Sequence, residues 1–109
     1  MRVLQKAAFG TELRLAATSF TGSAVKIGSL VETPSIITFN NDTSVEVFVA
    51  DNTGSTKGFT LIAGKSVIVD TVSDKDQNAE TLQWPAGTSF YATGAVGTGT
   101  FRIGVVYPT

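Results

Sequence analysis

The feature that most restricts the fold of this chain is an apolar alternation of period two, repeated in short bursts and broken each time by turn-forming residues. In "FRIGVVYP", 101–108, Phe101, Ile103, Val105 and Tyr107 fall on one side and Arg102 and Gly104 on the other, as a half-buried strand requires. "SVEVFVAD", 44–51, repeats the pattern with Val45, Val47 and Val49 opposite Glu46 and Phe48. Pro108 has no N–H to give to a ladder and ends the last burst. Further strands are expected at 12–19, 24–31, 35–40, 59–62, 66–72, 81–84 and 88–93. Helix-period patterns are scarce. The expectation is an all-β chain, a two-sheet β-sandwich of jelly-roll or Greek-key type with about eight to nine short strands.

Between the bursts lie Asn40-Asn41-Asp42, Asp51-Asn52-Thr53-Gly54 and the series Gly94, Gly97, Gly99, all read as turns. Residues 1–11 are less regular and are expected to form either an edge strand or an arm reaching onto a partner. At 109 residues with no internal boundary, the chain reads as a single domain over 1–109.

"GFTLIAGKSVIVD", 58–70, carries a Gly-Lys-Ser that invites comparison with a phosphate-binding P-loop. That motif needs four residues between its glycines and a helix directly after its Ser or Thr. Here five residues separate Gly58 from Gly64, and Val67-Ile68-Val69 follows, a β-branched run suited to a strand. The local shape recurs as Ala86-Gly87-Thr88-Ser89 before Phe90-Tyr91, without the lysine. A segment that keeps Ala-Gly, Ser and the apolar run but drops Lys is a turn device.

Composition then removes whole classes of chemistry. A net charge of −1 with 16% charged residues lacks the clustered Lys and Arg that displace counterions from nucleic acid. There is no cysteine and no histidine, so no disulfide, thiolate site or Ser-His-Asp triad can be assembled. The opening residues interrupt their apolar positions with Glu12 and Arg14, unlike the continuous apolar centre of a signal peptide. No apolar run is long enough for a membrane helix. Synthesis in the cytoplasm is expected, with no membrane and no nucleic-acid partner.

Four groupings remain to be weighed. "SDKDQNAE" spaces Asp74, Asp76, Asn78 and Glu80 like the start of a calcium loop, but Ala79 stands where the turn wants Gly and Pro85 where the bidentate carboxylate belongs. No metal is expected. Glu12, Glu46 and Asp70 are placed on outer strand faces, and Asp42, Asp51, Asp74 and Asp76 in turns, so the acids read as solvation and turn residues rather than a glycosidase pair. Lys65 and Ser66 are adjacent on a strand and face opposite ways, which disqualifies a Ser-Lys pair. Trp84 before Pro85 reads first as core packing at a strand end and second as a partner or sugar contact. No catalytic, cofactor-binding or metal residue is assigned.

Phe39-Asn40-Asn41, Phe48-Val49-Ala50-Asp51-Asn52, "GFTLIAGKSVIVD", "TLQWPAGTSFYATGAVGTGTF" and the final "RIGVVY" together resemble small virion proteins of tailed bacteriophages. The shared features are an Asn-rich entry to a strand, the turn at Leu61-Ile62-Ala63-Gly64, and the ending Phe90-Tyr91, Gly94, Gly97-Thr98-Gly99, Phe101. The likeness covers residues 34–107. It implies a capsid-decoration, head-fibre or tail accessory component, homo-oligomeric or held on major capsid or tail proteins, non-enzymatic and without a cofactor. Under that reading Arg2, Phe9 and Phe20 are partner-contact candidates, each equally open to ordinary packing or solvent exposure, and Trp84 joins them as its second reading after core packing. A host-receptor or carbohydrate-binding adhesin on the same scaffold is the alternative, with 51–58, 73–80 and 94–99 as its loops. A hydrolase built from distant carboxylates ranks third.

Overall fold

The computed structural model describes residues 7–52, 57–70 and 84–108. The strands are β1 (Ala7–Phe9), β2 (Leu13–Ala16), β3 (Val25–Ser29), β4 (Ile36–Thr43), β5 (Val47–Ala50), β6 (Gly58–Leu61), β7 (Ser66–Asp70), β8 (Ser89–Thr93) and β9 (Gly99–Pro108). The first sheet runs β1-β9-β4-β7, with β2 lying beside β9 in line with β1, and the second runs β3-β8-β5-β6. Every pairing is antiparallel.

The pairs nest. β5 and β6 form the innermost hairpin, β4 pairs with β7 outside it, β3 with β8 outside that, and β2 with β9 outermost. A ribbon of paired strands folded over itself in this way, with β9 added to β4 and β8 to β5 where the folds meet, is the jelly roll. The sandwich expected from the alternation is therefore the architecture.

The same alternation decides what lies between the sheets. Ile37 and Phe39 of β4, Val47 and Val49 of β5, Phe90 and Ala92 of β8, and Phe101, Ile103, Val105 and Tyr107 of β9 point inward and are buried. Each fully buried large apolar side chain contributes about 1.5–3 kcal/mol against its exposed state, a gross gain largely offset by the entropy of ordering the chain.

The two Ala-Gly segments have the same geometry. Lys65 N–H donates to the Ile62 carbonyl at 3.2 Å and Thr88 N–H to the Pro85 carbonyl at 3.1 Å, with Gly64 at φ 79° and Gly87 at φ 89° in the third position of each turn. That sign of φ is the type II requirement. Each glycine N–H also reaches an earlier chain segment, Gly64 to Asn41 O and Gly87 to Leu30 O, both at 2.8 Å. The turns thus deliver β7 onto β4 and β8 onto β3 in register. The amides of Gly64 and Lys65 are committed to these bonds, and Gly-Lys-Ser here is a strand-entry turn.

Several expectations change. The strand expected at 12–19 ends at Ala16. A single 3-10 turn, Ala17–Ser19, follows, in which buried Ala17 accepts bonds from Phe20 and Gly97 and carries the chain from one sheet to the other. Asn40-Asn41-Asp42 is not a turn but the continuation of β4. Asn41 occupies an inward position and is 0% exposed. Its Nδ2 donates to Leu61 O at 2.9 Å and Val45 O at 3.0 Å, while its Oδ1 accepts from Thr43 N at 3.2 Å and Thr43 Oγ1 at 2.5 Å. The side chain ties the β4–β5 bend to the end of β6 with all its polar atoms bonded, so an amide sits inside an apolar core. Trp84 lies outside any strand, and residues 81–83 of the strand expected at 81–84 lie outside the described residues. Within 1–11, Ala7–Phe9 forms the edge strand β1.

Candidate contact surfaces

Residues directly opposed across an antiparallel ladder share a face, so the registers give the outer surface of the first sheet row by row. One row reads Phe9, Val106, Ile36, Asp70, and the next Gly104, Thr38, Ile68. Phe9 is 90% exposed and Ile68 is 68% exposed, with Val106 and Ile36 half-buried between them. Gly104 leaves open space above the middle of this group, where an added Cβ would meet nothing within 4 Å. The result is an exposed apolar strip across β1, β9, β4 and β7 with a shallow depression at its centre.

The other half of the same face is charged. Arg14 Nε donates to Glu12 Oε1 at 2.6 Å, Arg102 Nε stands 3.9 Å from that carboxylate, and Arg102 Nη1 is 3.5 Å from Asp42 Oδ2. All four side chains are at least one-third exposed, so these pairs add little to stability. They keep the sheet wetted at one end and leave the apolar strip at the other.

A second feature opens beside the core aromatics. Phe39 of β4 meets Phe59, Phe90 and Trp84 edge to face at centroid distances of 5.3, 5.5 and 6.2 Å, and Trp84 meets Phe90 at 5.7 Å. A cleft of about 250 Å³, open mouth included, runs along these rings and carries Asp51 and Lys57 as its polar residues. Trp84 Nε1 donates to Asp51 Oδ2 at 3.1 Å, which fixes the indole as one wall. Only about 50 Å³ of it is recessed, far below the roughly 300–1,000 Å³ of ordinary small-molecule pockets. Replacing Asp51 by Ala is expected to cost less than about 1 kcal/mol, the worth of one exposed hydrogen bond. The emission of Trp84, the single tryptophan, should report the loss as a spectral shift.

The partner-contact candidates divide. Phe9 stands on the exposed apolar strip. Phe20 is 2% exposed and belongs to the core, where the 3-10 turn directs it, so packing is its role and it offers no contact surface. Trp84 is half-buried and combines both readings. Arg2 lies outside the described residues. Phe9 and Trp84 are not neighbours: one lies on the outer face of the first sheet, the other against the core rings. Of the loops named for an adhesin, 73–80 lies outside the described residues, 51–58 borders the aromatic cleft through Asp51, Lys57 and Gly58, and 94–99 exposes Val96.

Sequence reasoning missed Ile36, Ile68 and Val106 as surface residues. The signal was present: Ile36-Ile37, Val67-Ile68-Val69 and Val105-Val106 are consecutive apolar pairs or runs, which put apolar groups on both faces of a strand. It took the register to align them.

Among the described residues no group of three or more acidic side chains comes together in a way that could hold a metal ion. Comparison of the chain with protein-family models, with curated proteins and with solved structures gave no match.

Proposed function

We propose that the chain is a non-enzymatic structural component of a tailed-phage virion, a capsid-decoration or head/tail accessory protein made in the host cytoplasm and acting through repeated protein–protein contacts. The observation that carries this reading is the exposed strip of Phe9, Val106, Ile36 and Ile68 on the outer face of the first sheet. A contiguous apolar surface rimmed by charge marks a place where another macromolecule docks. A small sheet face gives weak binding in one copy, and repetition under particle symmetry multiplies it. The likeness of residues 34–107 to phage virion proteins supports the same assignment. The jelly roll is compatible with it but does not choose it, since the fold also serves lectins and enzymes.

The test is mass spectrometry of purified virions of the phage that encodes the chain, with wild-type protein and Phe9→Ser. Wild-type chain is expected in a fixed copy number per particle. Phe9→Ser should lower its occupancy at least tenfold while changing the stability of the free protein by no more than about 0.5 kcal/mol, as for an exposed position. Absence of the wild-type chain from washed particles would defeat the assignment.

One observation favours a second reading, a receptor- or carbohydrate-binding module: the cleft walled by Trp84 and Phe59 with Asp51 and Lys57 beside it. An aromatic wall next to polar groups suits the face and hydroxyls of a sugar ring. Glycan-dependent quenching of Trp84 emission, abolished by Asp51→Ala, would establish it.

A further inference from the structure

We infer that Arg14 and Arg102 receive a side-chain carboxylate of the partner protein that covers the apolar strip, so that the partner carries Asp or Glu beside its apolar anchor. The inference rests on the virion reading and names the chemistry of that contact.

Arg14 and Arg102 stand directly opposite each other across β2 and β9. Like charges in that relation repel. Glu12 is close to both but bonds only one: its Oε1 is 2.6 Å from Arg14 Nε and 3.9 Å from Arg102 Nε. Asp42 Oδ2 accepts from Arg102 Nη1 at 3.5 Å, a long contact. Arg102 Nε is left buried without a hydrogen bond, alone in this among the side-chain atoms of the described residues. Buried donors are normally bonded, and each guanidinium holds further N–H donors in a fork that fits a carboxylate.

The row continues in the same chemistry. Arg102 is opposed to Asn40 on β4, and Asn40 to Ser66 on β7, so Arg14, Arg102, Asn40 and Ser66 present donors side by side on the outer face. Donors exceed acceptors here, although the two acids balance the two cations. That balance disfavours a polyanion, whose binding depends on net positive charge. It suits one carboxylate held by short-range fork geometry. When that carboxylate pairs with Arg14, whose side chain is 67% exposed, Glu12 is freed to close on Arg102 Nε, and the buried donor gains its acceptor.

Position ties this row to the strip. Gly104, at the centre of the depression, is two residues beyond Arg102 on β9, about 7 Å along the strand and on the same face. An extended partner segment with an acid and a bulky apolar residue at alternate positions spans the two. The row lies at the end of the sheet away from Ala7 and Asp70: Ala7 is level with Pro108, and Asp70 with Ile36 and Val106. The elements that frame it, β2, the start of β9, the end of β4 and the start of β7, are all described.

Virions of the phage that encodes the chain, assembled with variant chains, give the test. Arg14→Glu should lower the copy number at least tenfold. Lys26→Glu, the same charge change on β3 of the second sheet, should leave it within twofold of wild type. The free Arg14→Glu chain should melt within a few degrees of wild type, as for an exposed position. Arg14→Lys puts a primary amine at the site, and a carbodiimide should then join position 14 to an Asp or Glu of another virion protein at least tenfold more often than it joins Lys26, as read by mass spectrometry. An unchanged copy number for Arg14→Glu while Phe9→Ser loses its place overturns this inference and leaves the virion reading intact. Carbodiimide products of position 14 confined to Glu12 of the same chain do the same. Absence of the wild-type chain from washed particles overturns both.

Discussion

Replacing Phe39 by Ala is expected to remove about 3–5 kcal/mol of stability, the range for emptying a buried aromatic site. Phe39 is 1% exposed and is the hub of the ring cluster, in edge contact with Phe59, Phe90 and Trp84. The loss has three parts: the transfer of the ring out of an apolar site, the cavity left between two sheets that cannot close onto it, and the edge-to-face terms of about 0.5–1.5 kcal/mol per pair. Because folded domains of this size hold only about 5–15 kcal/mol in total, the variant should be near its unfolding threshold at 37 °C. Urea titration followed by Trp84 emission measures both effects, since the indole is itself one of the contacts. A cost below about 1 kcal/mol would mean that the rings do not share one packed centre.

Replacing Asn41 by Leu comes second, at about 1–3 kcal/mol, the cost of a buried polar group losing its partner. Leucine nearly matches the volume and is more apolar, so area burial alone favours the variant. Hydrogen bonding reverses the sign. A leucine side chain at this position would leave Thr43 N without the partner that Asn41 gives it at 3.2 Å, and a buried polar group left without a partner costs about 1–3 kcal/mol; Leu61 O would lose only a second bond, since it stays in ladder register with Val47. Val45 O is spared, because Thr43 Oγ1, 3.0 Å away, can turn its one proton to it once Asn41 Oδ1 is gone. The fall in melting temperature should be at least about 4 °C for a domain of this size. Asn41→Asp, the closest isostere, should be no better, since it turns an oxygen towards the carbonyls of Val45 and Leu61 where Nδ2 stood. Thermal unfolding of the two variants side by side separates hydrogen bonding from shape.

The strands are legible in the sequence wherever one face is apolar and the other polar. Val47 and Val49, and Phe101 through Tyr107, alternate so cleanly that register and inward face follow together. The twin turns at Gly64 and Gly87 are legible because glycine, strand entry and the following apolar run repeat as a unit. Asn41 is not, because Asn-Asn-Asp has the composition of a turn. Only its phase, two residues after Phe39 and four after Ile37, marks it as inward, and a buried amide becomes tolerable only when the partners Val45 and Leu61 are brought to it by the fold. Phe20 escapes the sequence for a related reason: the 3-10 turn that swings it inward is held by Gly97, far along the chain. The surface strip is hidden because its members come from β1, β4, β7 and β9 and become neighbours only through the nested pairing.

That pairing also builds the surface on which the proposed contact role rests. Closing β9 against β1, β2 and β4 commits the inward faces to one core and leaves the outer face of the first sheet divided into a charged half and an apolar half. The measurement that tests this most directly is hydrogen exchange of the chain in purified virions against the chain alone. The account predicts added protection in β1, β4, β7 and β9, with β3 and β6 exchanging as in the free protein. Unchanged exchange throughout the first sheet, with new protection confined to Trp84 and the residues around Asp51 and Lys57, would contradict it.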